Sequence, residues 1–187
     1  PLPVAGTTVE RGIAVSVAVE HEVDAESIEV LDATGGTSAL RTTRVARAPG
    51  APLTIDSIAT VATSHSSRRP HDLGEVRAAR RRGYEALRED NRSAWTAIWE
   101  CLDVSIEGSN ADQLGVRFAA YHNRICTPVH DERLPLGARG LSCQAYQGAA
   151  FWDQEIYNLP AFLFTEPEIA RSLLAYRHHT LDGARRR

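Results

Sequence analysis

Gly140-Leu-Ser-Cys-Gln-Ala-Tyr-Gln-Gly148, followed shortly by Phe151-Trp-Asp-Gln-Glu155, decides how this chain is read. A glycine-flanked polar loop runs into an aromatic pair, then an acid, then an apolar stretch that continues to Phe164. That order suits a sugar site. The indole of Trp152 offers a flat face to the C–H side of a pyranose, and the carboxylate of Asp153 offers two acceptors for adjacent hydroxyls. Gln144 and Tyr146 within the loop, and Arg139 just before it, are further candidates for lining the site.

Working outward, Trp152 to Phe164 reads as helical, with a kink expected at Pro160. Thr165-Glu-Pro-Glu168 has the composition of a helix start, with Thr as N-cap and Pro in the first turn. Ile169, Leu173, Tyr176 and Thr180 then share one face, and Asp182-Gly183 is the expected end. Upstream, Pro128 to Gly148 is a long Pro- and Gly-containing loop, of a length usually functional or disordered. Before it, Ser109 and Asp112 form a capping pattern. Leu114, Phe118, Tyr121 and Ile125 follow at helical spacing. Asp103 to Glu107 alternates and reads as a short extended piece closed by Gly108.

The period is helical from His71 onward, where Leu73 and Val76 begin a stripe continued by Tyr84, Leu87, Trp95, Ile98 and Leu102. Gly83 is expected to break this stretch into two helices. The first third reads as strands. Val9, Ile13, Val15, Val17 and Val19 share one parity, and Ser27–Leu31, Ala39–Val45 and Pro52–Thr63 supply three more runs. A sheet needs a second layer over its apolar face, so these strands imply part of a sandwich.

The continuous run Ala138-Arg-Gly-Leu141, Tyr146, Gly148, Phe151-Trp-Asp153, Glu155-Ile156, Leu159-Pro160 and Pro167 to Arg171 resembles glycoside hydrolase family 65. Leu174, Tyr176-Arg177 and Leu181 to Arg185 extend the likeness. So do Trp95 and Trp99, four apart, and Gln113 to Tyr121. The resemblance covers nearly all of the chain. It implies an α+β multidomain fragment: residues 1–66 the end of an N-terminal β-sandwich, 67–102 helical linker, and 103–187 the first helices of a truncated (α/α)6 barrel. It also implies that Trp152 and Asp153 hold the glucosyl unit before the scissile bond. Cys143 stands where the family usually has Gly, Ala150 where it usually has His, and Asn91 in place of a common linker His.

The implied reaction is inverting attack by phosphate or water on an α-linked glucose disaccharide, such as maltose, trehalose or kojibiose. Inorganic phosphate would be a co-substrate, and no organic cofactor is implied. The intact parent would be cytoplasmic and can be a homodimer. Cleavage needs an acid and a nucleophile or activated water flanking one bond. Asp153 and Glu155 are two apart on a helix and point to different sides, so they do not make that pair. In the family the general acid lies on a later barrel segment, so no catalytic residue is assigned here. The second reading is a non-catalytic or vestigial carbohydrate-binding module, and a helical interaction protein is a third.

Composition excludes several other classes. All 21 basic residues are Arg, and the net charge is -3. The clusters Arg80-Arg81-Arg82 and Arg185-Arg186-Arg187 are short and sit among acids, as in a solvated helix face rather than a nucleic-acid surface. Cys101, Cys126 and Cys143 are too widely spaced for a disulfide framework, and with His178-His179 they lack metal-ligand spacing. No apolar run approaches the ~20 residues that span a bilayer. The absence of Met and the opening Pro1-Leu2-Pro3 read as a piece of a longer chain.

Overall fold

The computed structural model describes residues 2–9, 12–25, 27–35, 38–65, 73–140 and 145–186. The chain divides into two compact units, Pro1–Ser93 and Ala94–Arg187. The first contains β1 (Leu2–Thr7), β2 (Ala14–Val23), β3 (Ser27–Gly35), β4 (Ser38–Val45), β5 (Ile55–Thr63) and α1 (Gly74–Arg82). The second holds α3 (Asn110–Cys126), α4 (Leu159–Thr165) and α5 (Pro167–Arg185), and the boundary falls inside α2 (Tyr84–Leu102). No helix among the described residues is long and apolar enough to cross a membrane.

Strand β2 lies between β1 and β5, antiparallel to both, and β3 pairs with β4 as an antiparallel hairpin. β1 has no apolar alternation and carries Pro3 near its start. A proline is tolerated there because β1 is an edge strand, where a missing N–H costs no ladder bond. The valine parity of β2 is not the buried one. Ser16 and Ala18 are buried, whereas Val15, Val17 and Val19 are half-buried. The cause is α1, which packs on β2 and β5. Small side chains let a helix approach closely. Arg80 on α1 donates to Glu20, on the Ser16/Ala18 face, at 2.8 Å, and Val76 of α1 is fully buried. In the hairpin, Arg41 forks onto Asp32, its cross-strand partner, at 2.7 and 2.6 Å.

Gly83 breaks the helical stretch as its sequence predicts. It closes α1 at φ 80°, a conformation glycine adopts without penalty, and α2 begins at the next residue. Ser109 caps α3, its Oγ accepting from the Asp112 N–H at 3.3 Å. Residues 103–106 form no strand. The Gln113 side chain serves them instead, accepting from Ile106 N at 2.8 Å and donating to Val104 O at 2.9 Å.

The core of the second unit is Leu136, Leu159, Phe162, Ile169, Ala170 and Leu173, with Cys126 packed against it. These residues come from the loop after α3 and from the facing sides of α4 and α5. The face of α3 bearing Leu114 and Phe118 stays largely exposed, with Tyr121 stacked 4.8 Å from Trp95. Two helix boundaries differ from the sequence reading. Thr165 is not the cap of α5: its hydroxyl donates back to Ala161 O at 2.9 Å and finishes α4. Glu166 takes the cap position, with Pro167 as the first helical residue. Asp182-Gly183 does not end α5, which runs on to Arg185. Pro160, where a kink is expected, follows directly on a π-helical turn over Gln154–Asn158 and lies in the first turn of α4.

Candidate functional site

The long loop is pinched shut at its base. Ala138 N donates to Ala149 O at 3.4 Å, and Gly137 lies so near Gly148 that an added Cβ would meet the Gly148 Cα at 3.5 Å. Gly140 runs at φ +55° against Cys126. Tyr146 adopts φ 64°, a left-handed conformation that a residue with a Cβ takes only at a cost of about 1–2 kcal/mol. Its carbonyl is held by Ala149 N at 2.8 Å. Strain of this kind clusters at active sites, ligand clamps and switch regions.

The Tyr146 ring meets Phe151 edge-on at 5.1 Å, and the Arg139 guanidinium lies 5.9 Å from the Tyr146 ring centre. Arg139, Tyr146 and Phe151 therefore form one neighbourhood, and Trp152 follows next in the chain. Trp152 is 70% exposed, so its indole is a surface ring rather than a core residue. Asp153 is half-buried with helical φ and ψ, and its side chain makes no cap hydrogen bond. Of the residues picked from sequence, Arg139 and Tyr146 meet each other, and Trp152 and Asp153 follow Phe151 in the chain. Gln144 lies outside the described residues.

The helix that carries them is irregular at this point. Trp152 O accepts from both Glu155 N and Ile156 N at 3.0 Å, and the π-helical turn begins at Gln154. Such turns are rare and recur at functional sites. Asp153 and Glu155 do not act as a pair. Glu155 takes a forked bond from Arg177, Nε to Oε1 and Nη2 to Oε2, both at 2.8 Å. The guanidinium holds this carboxyl below its ordinary range, with a further bond from Gln154 in the same direction.

Two participants, Gln154 and Arg177, were given no role at the site from sequence, although Arg177 falls within the family likeness. Gln154 is 1% exposed; its Oε1 accepts from Leu136 N at 2.9 Å and its Nε2 donates to Leu173 O at 3.3 Å and Glu155 Oε1 at 2.7 Å. Arg177 also donates to the Phe151 carbonyl at 2.7 Å. Neither has a spacing that marks it; the Asp-x-Glu context of Gln154 is the nearest thing to a clue.

An open groove of about 590 Å³ runs between α3 and the loop, lined by Phe118, His122, Asn123, Arg139 and Asn158 among others. Asn158 Nδ2 donates to Asn123 Oδ1 at 2.8 Å on its wall. Arg139 belongs to both groove and aromatic neighbourhood, whereas Trp152 and Asp153 are not groove-lining residues. Among the described residues, no group of three His, Cys, Asp or Glu is arranged to hold a metal ion.

Comparison with known proteins follows the same division. The N-terminal domain of glycosyl hydrolase family 65 matches residues 3–98, and the family's central catalytic domain matches residues 117–187. A 1,2-alpha-glucosylglycerol phosphorylase of Bacillus selenitireducens is 48% identical over 147 residues, covering 79% of this chain and 19% of that protein. A kojibiose phosphorylase of Halothermothrix orenii is 51% identical over 104 residues, covering 56% of this chain and 13% of its own. An alpha,alpha-trehalose phosphorylase of Thermoanaerobacter brockii is 38% identical over 115 residues, or 62% and 15%. The chain therefore spans less than a fifth of the length of these relatives. With a strand-rich first half and a helical second half matching two successive domains of one family, the chain belongs to glycoside hydrolase family 65.

Proposed function

We propose that these 187 residues are part of an inverting α-glucoside phosphorylase and carry a portion of its glucosyl-binding site. In this reading residues 1–66 end a β-sandwich, 67–102 link, and 103–187 open an (α/α)6 barrel. The reading is supported by the relatives, which are named as phosphorylases of glucosylglycerol, kojibiose and trehalose, and by how little of their length the chain covers. The single observation that carries the site assignment is the exposed Trp152 followed by Asp153, whose carboxylate is not spent on capping its own helix. Trp152 would pack on the C–H face of the glucosyl unit and Asp153 would accept from its hydroxyls. Tyr146 and Arg139 would border it, with Gln144 on the same loop.

The substrate would be an α-linked glucose disaccharide, and phosphate would be the attacking group, giving a glucose 1-phosphate of inverted configuration. A general acid must hold its proton until the leaving oxygen takes it, which requires a raised pKa. Glu155 is shifted the opposite way by Arg177, so it is unsuited to that task. The proton donor would accordingly come from outside these residues, and the isolated chain would bind without turning over.

The test splices the chain into a family phosphorylase in place of its matching residues and assays maltose, trehalose and kojibiose with phosphate. Release of glucose 1-phosphate that is lost in Trp152→Ala and Asp153→Asn supports the reading. A well-folded fusion that is inert on every disaccharide, or active regardless of both substitutions, overturns it.

A further inference from the structure

The segment between Phe151 and Glu155 is held at both of its ends. Trp152 is mostly exposed, so packing does little to fix the indole. Its order must come from the backbone on either side. Both sides are gripped by one side chain. Arg177 Nη2 donates to Phe151 O at 2.7 Å and to Glu155 Oε2 at 2.8 Å, while Nε reaches Glu155 Oε1 at 2.8 Å. We propose that Arg177 is a positioning residue that clamps Phe151 and Glu155 together and so sets the direction of Trp152 and Asp153 between them.

The role is tied to the chemistry of arginine. A planar guanidinium presents several donors in a fixed fork, so it can meet a carboxylate at two points and a carbonyl at a third. A lysine at the same place is a point charge and would satisfy Glu155 without also spanning to the Phe151 carbonyl. The clamp is braced from below. Gln154 is buried and ties the same segment to Leu136 N and Leu173 O, and Leu173 lies one turn before Arg177 on α5. Consecutive turns of α5 therefore address both the underside and the edge of the segment. Holding a ligand-facing ring and acid in place before the ligand arrives removes an ordering cost from binding.

This inference rests on Trp152 and Asp153 forming the glucosyl site, and the test separates the two ideas. Fluorine NMR of the full chain, carrying fluorotryptophan, resolves the three tryptophans. The Trp152 signal is assigned by its loss in Trp152→Phe, and Trp95 and Trp99 serve as internal folding controls. In Arg177→Lys and Glu155→Gln the Trp152 signal should split or shift while the other two stay in place. Arg177→Met should do the same if it folds. Glucose affinity should fall roughly tenfold, the factor that loss of a hydrogen bond to a charged group carries. An unmoved Trp152 signal in Arg177→Lys and Glu155→Gln overturns the clamp, as does equal movement of all three signals. If the Trp152 signal responds to both substitutions but not to glucose in the unmodified chain, the clamp stands and the sugar-site reading fails.

Discussion

A Cβ placed on Gly140 would lie 2.4 Å from the Sγ of Cys126 and 3.0 Å from its Cβ. The loop that carries the candidate site therefore seats on α3 through a contact only glycine permits. Its positive φ of +55° makes any side chain strained there whatever the space. Gly140→Ala should destabilise the second unit by about 1–3 kcal/mol through overpacking, in addition to the backbone cost. Cys126→Ala, which removes the sulfur, should restore part of that loss in the double variant. Urea unfolding of the four proteins in the cycle measures it, and strictly additive effects would show that the contact is not what matters.

Tyr146 sets stability against binding. Tyr146→Gly should relieve a left-handed strain of about 1 kcal/mol, leaving the chain as stable or slightly more so. The same change removes the ring packed on Phe151 and covered by Arg139. Sugar affinity measured by calorimetric titration should therefore drop while the melting temperature does not. A fall in both would mean the ring is chiefly a packing element.

What the sequence disclosed was local chemistry. The Ser109 cap and the break at Gly83 each depend on a few neighbouring residues, and each is where the spacing puts it. Features that depend on a distant partner were not legible. Thr165 has the look of an N-cap, yet its hydroxyl finds Ala161 O one turn back, and only the position of α4 decides between the two. The valines of β2 read as the core face, but the helix packs over Ser16 and Ala18 because small residues admit it. Arg177 meets Glu155 across 22 positions, a pairing that exists only once α5 has folded back along the preceding segment.

Arg124 and Glu166 join α3 to the start of α5. The carboxylate accepts from Arg124 Nε at 3.2 and 2.9 Å, and each side chain is less than a fifth exposed. A pair this sheltered lies between the surface case, worth about 0–1 kcal/mol, and the buried case, in which deleting one partner costs about 3–5 kcal/mol. Arg124→Ala should cost about 1–3 kcal/mol and depend only weakly on salt. Glu168 and Arg171, fully on the surface of α5, supply the contrast. Arg171→Ala should change stability by less than about 0.5 kcal/mol. Equal losses from both substitutions would contradict this ranking.

Phe162 and Phe164 are two residues apart on α4 with opposite surroundings, 1% and 89% exposed. Phe162→Ala should cost about 3–5 kcal/mol by opening a cavity among Leu136, Leu159 and Leu173. Phe164→Ala should leave stability within about 0.5 kcal/mol and improve solubility, because it removes an exposed apolar ring. Thermal unfolding of the two variants compares them directly.

Asp131 sets the acid limb of stability in the loop after α3. Its carboxylate accepts from Arg133 Nε at 2.8 Å, Nη2 at 2.6 Å and the Arg133 backbone N–H at 3.0 Å. The arginine side chain is the chief reason the group is pulled down from 3.8 to about 2. A folded-state value below the unfolded one means the folded form binds the proton less readily. The contribution is therefore fully present above pH 3.8 and fades as the pH drops from there toward about 2. Because Arg133 is more than half exposed, screening should limit the effect to about 1 kcal/mol or less. Asp131→Asn should flatten this part of the stability profile while leaving stability above pH 5 lower by the same small amount. Carboxyl-carbon NMR titration of Asp131 gives the folded value directly, and a midpoint near 3.8 would remove the basis for the expected slope.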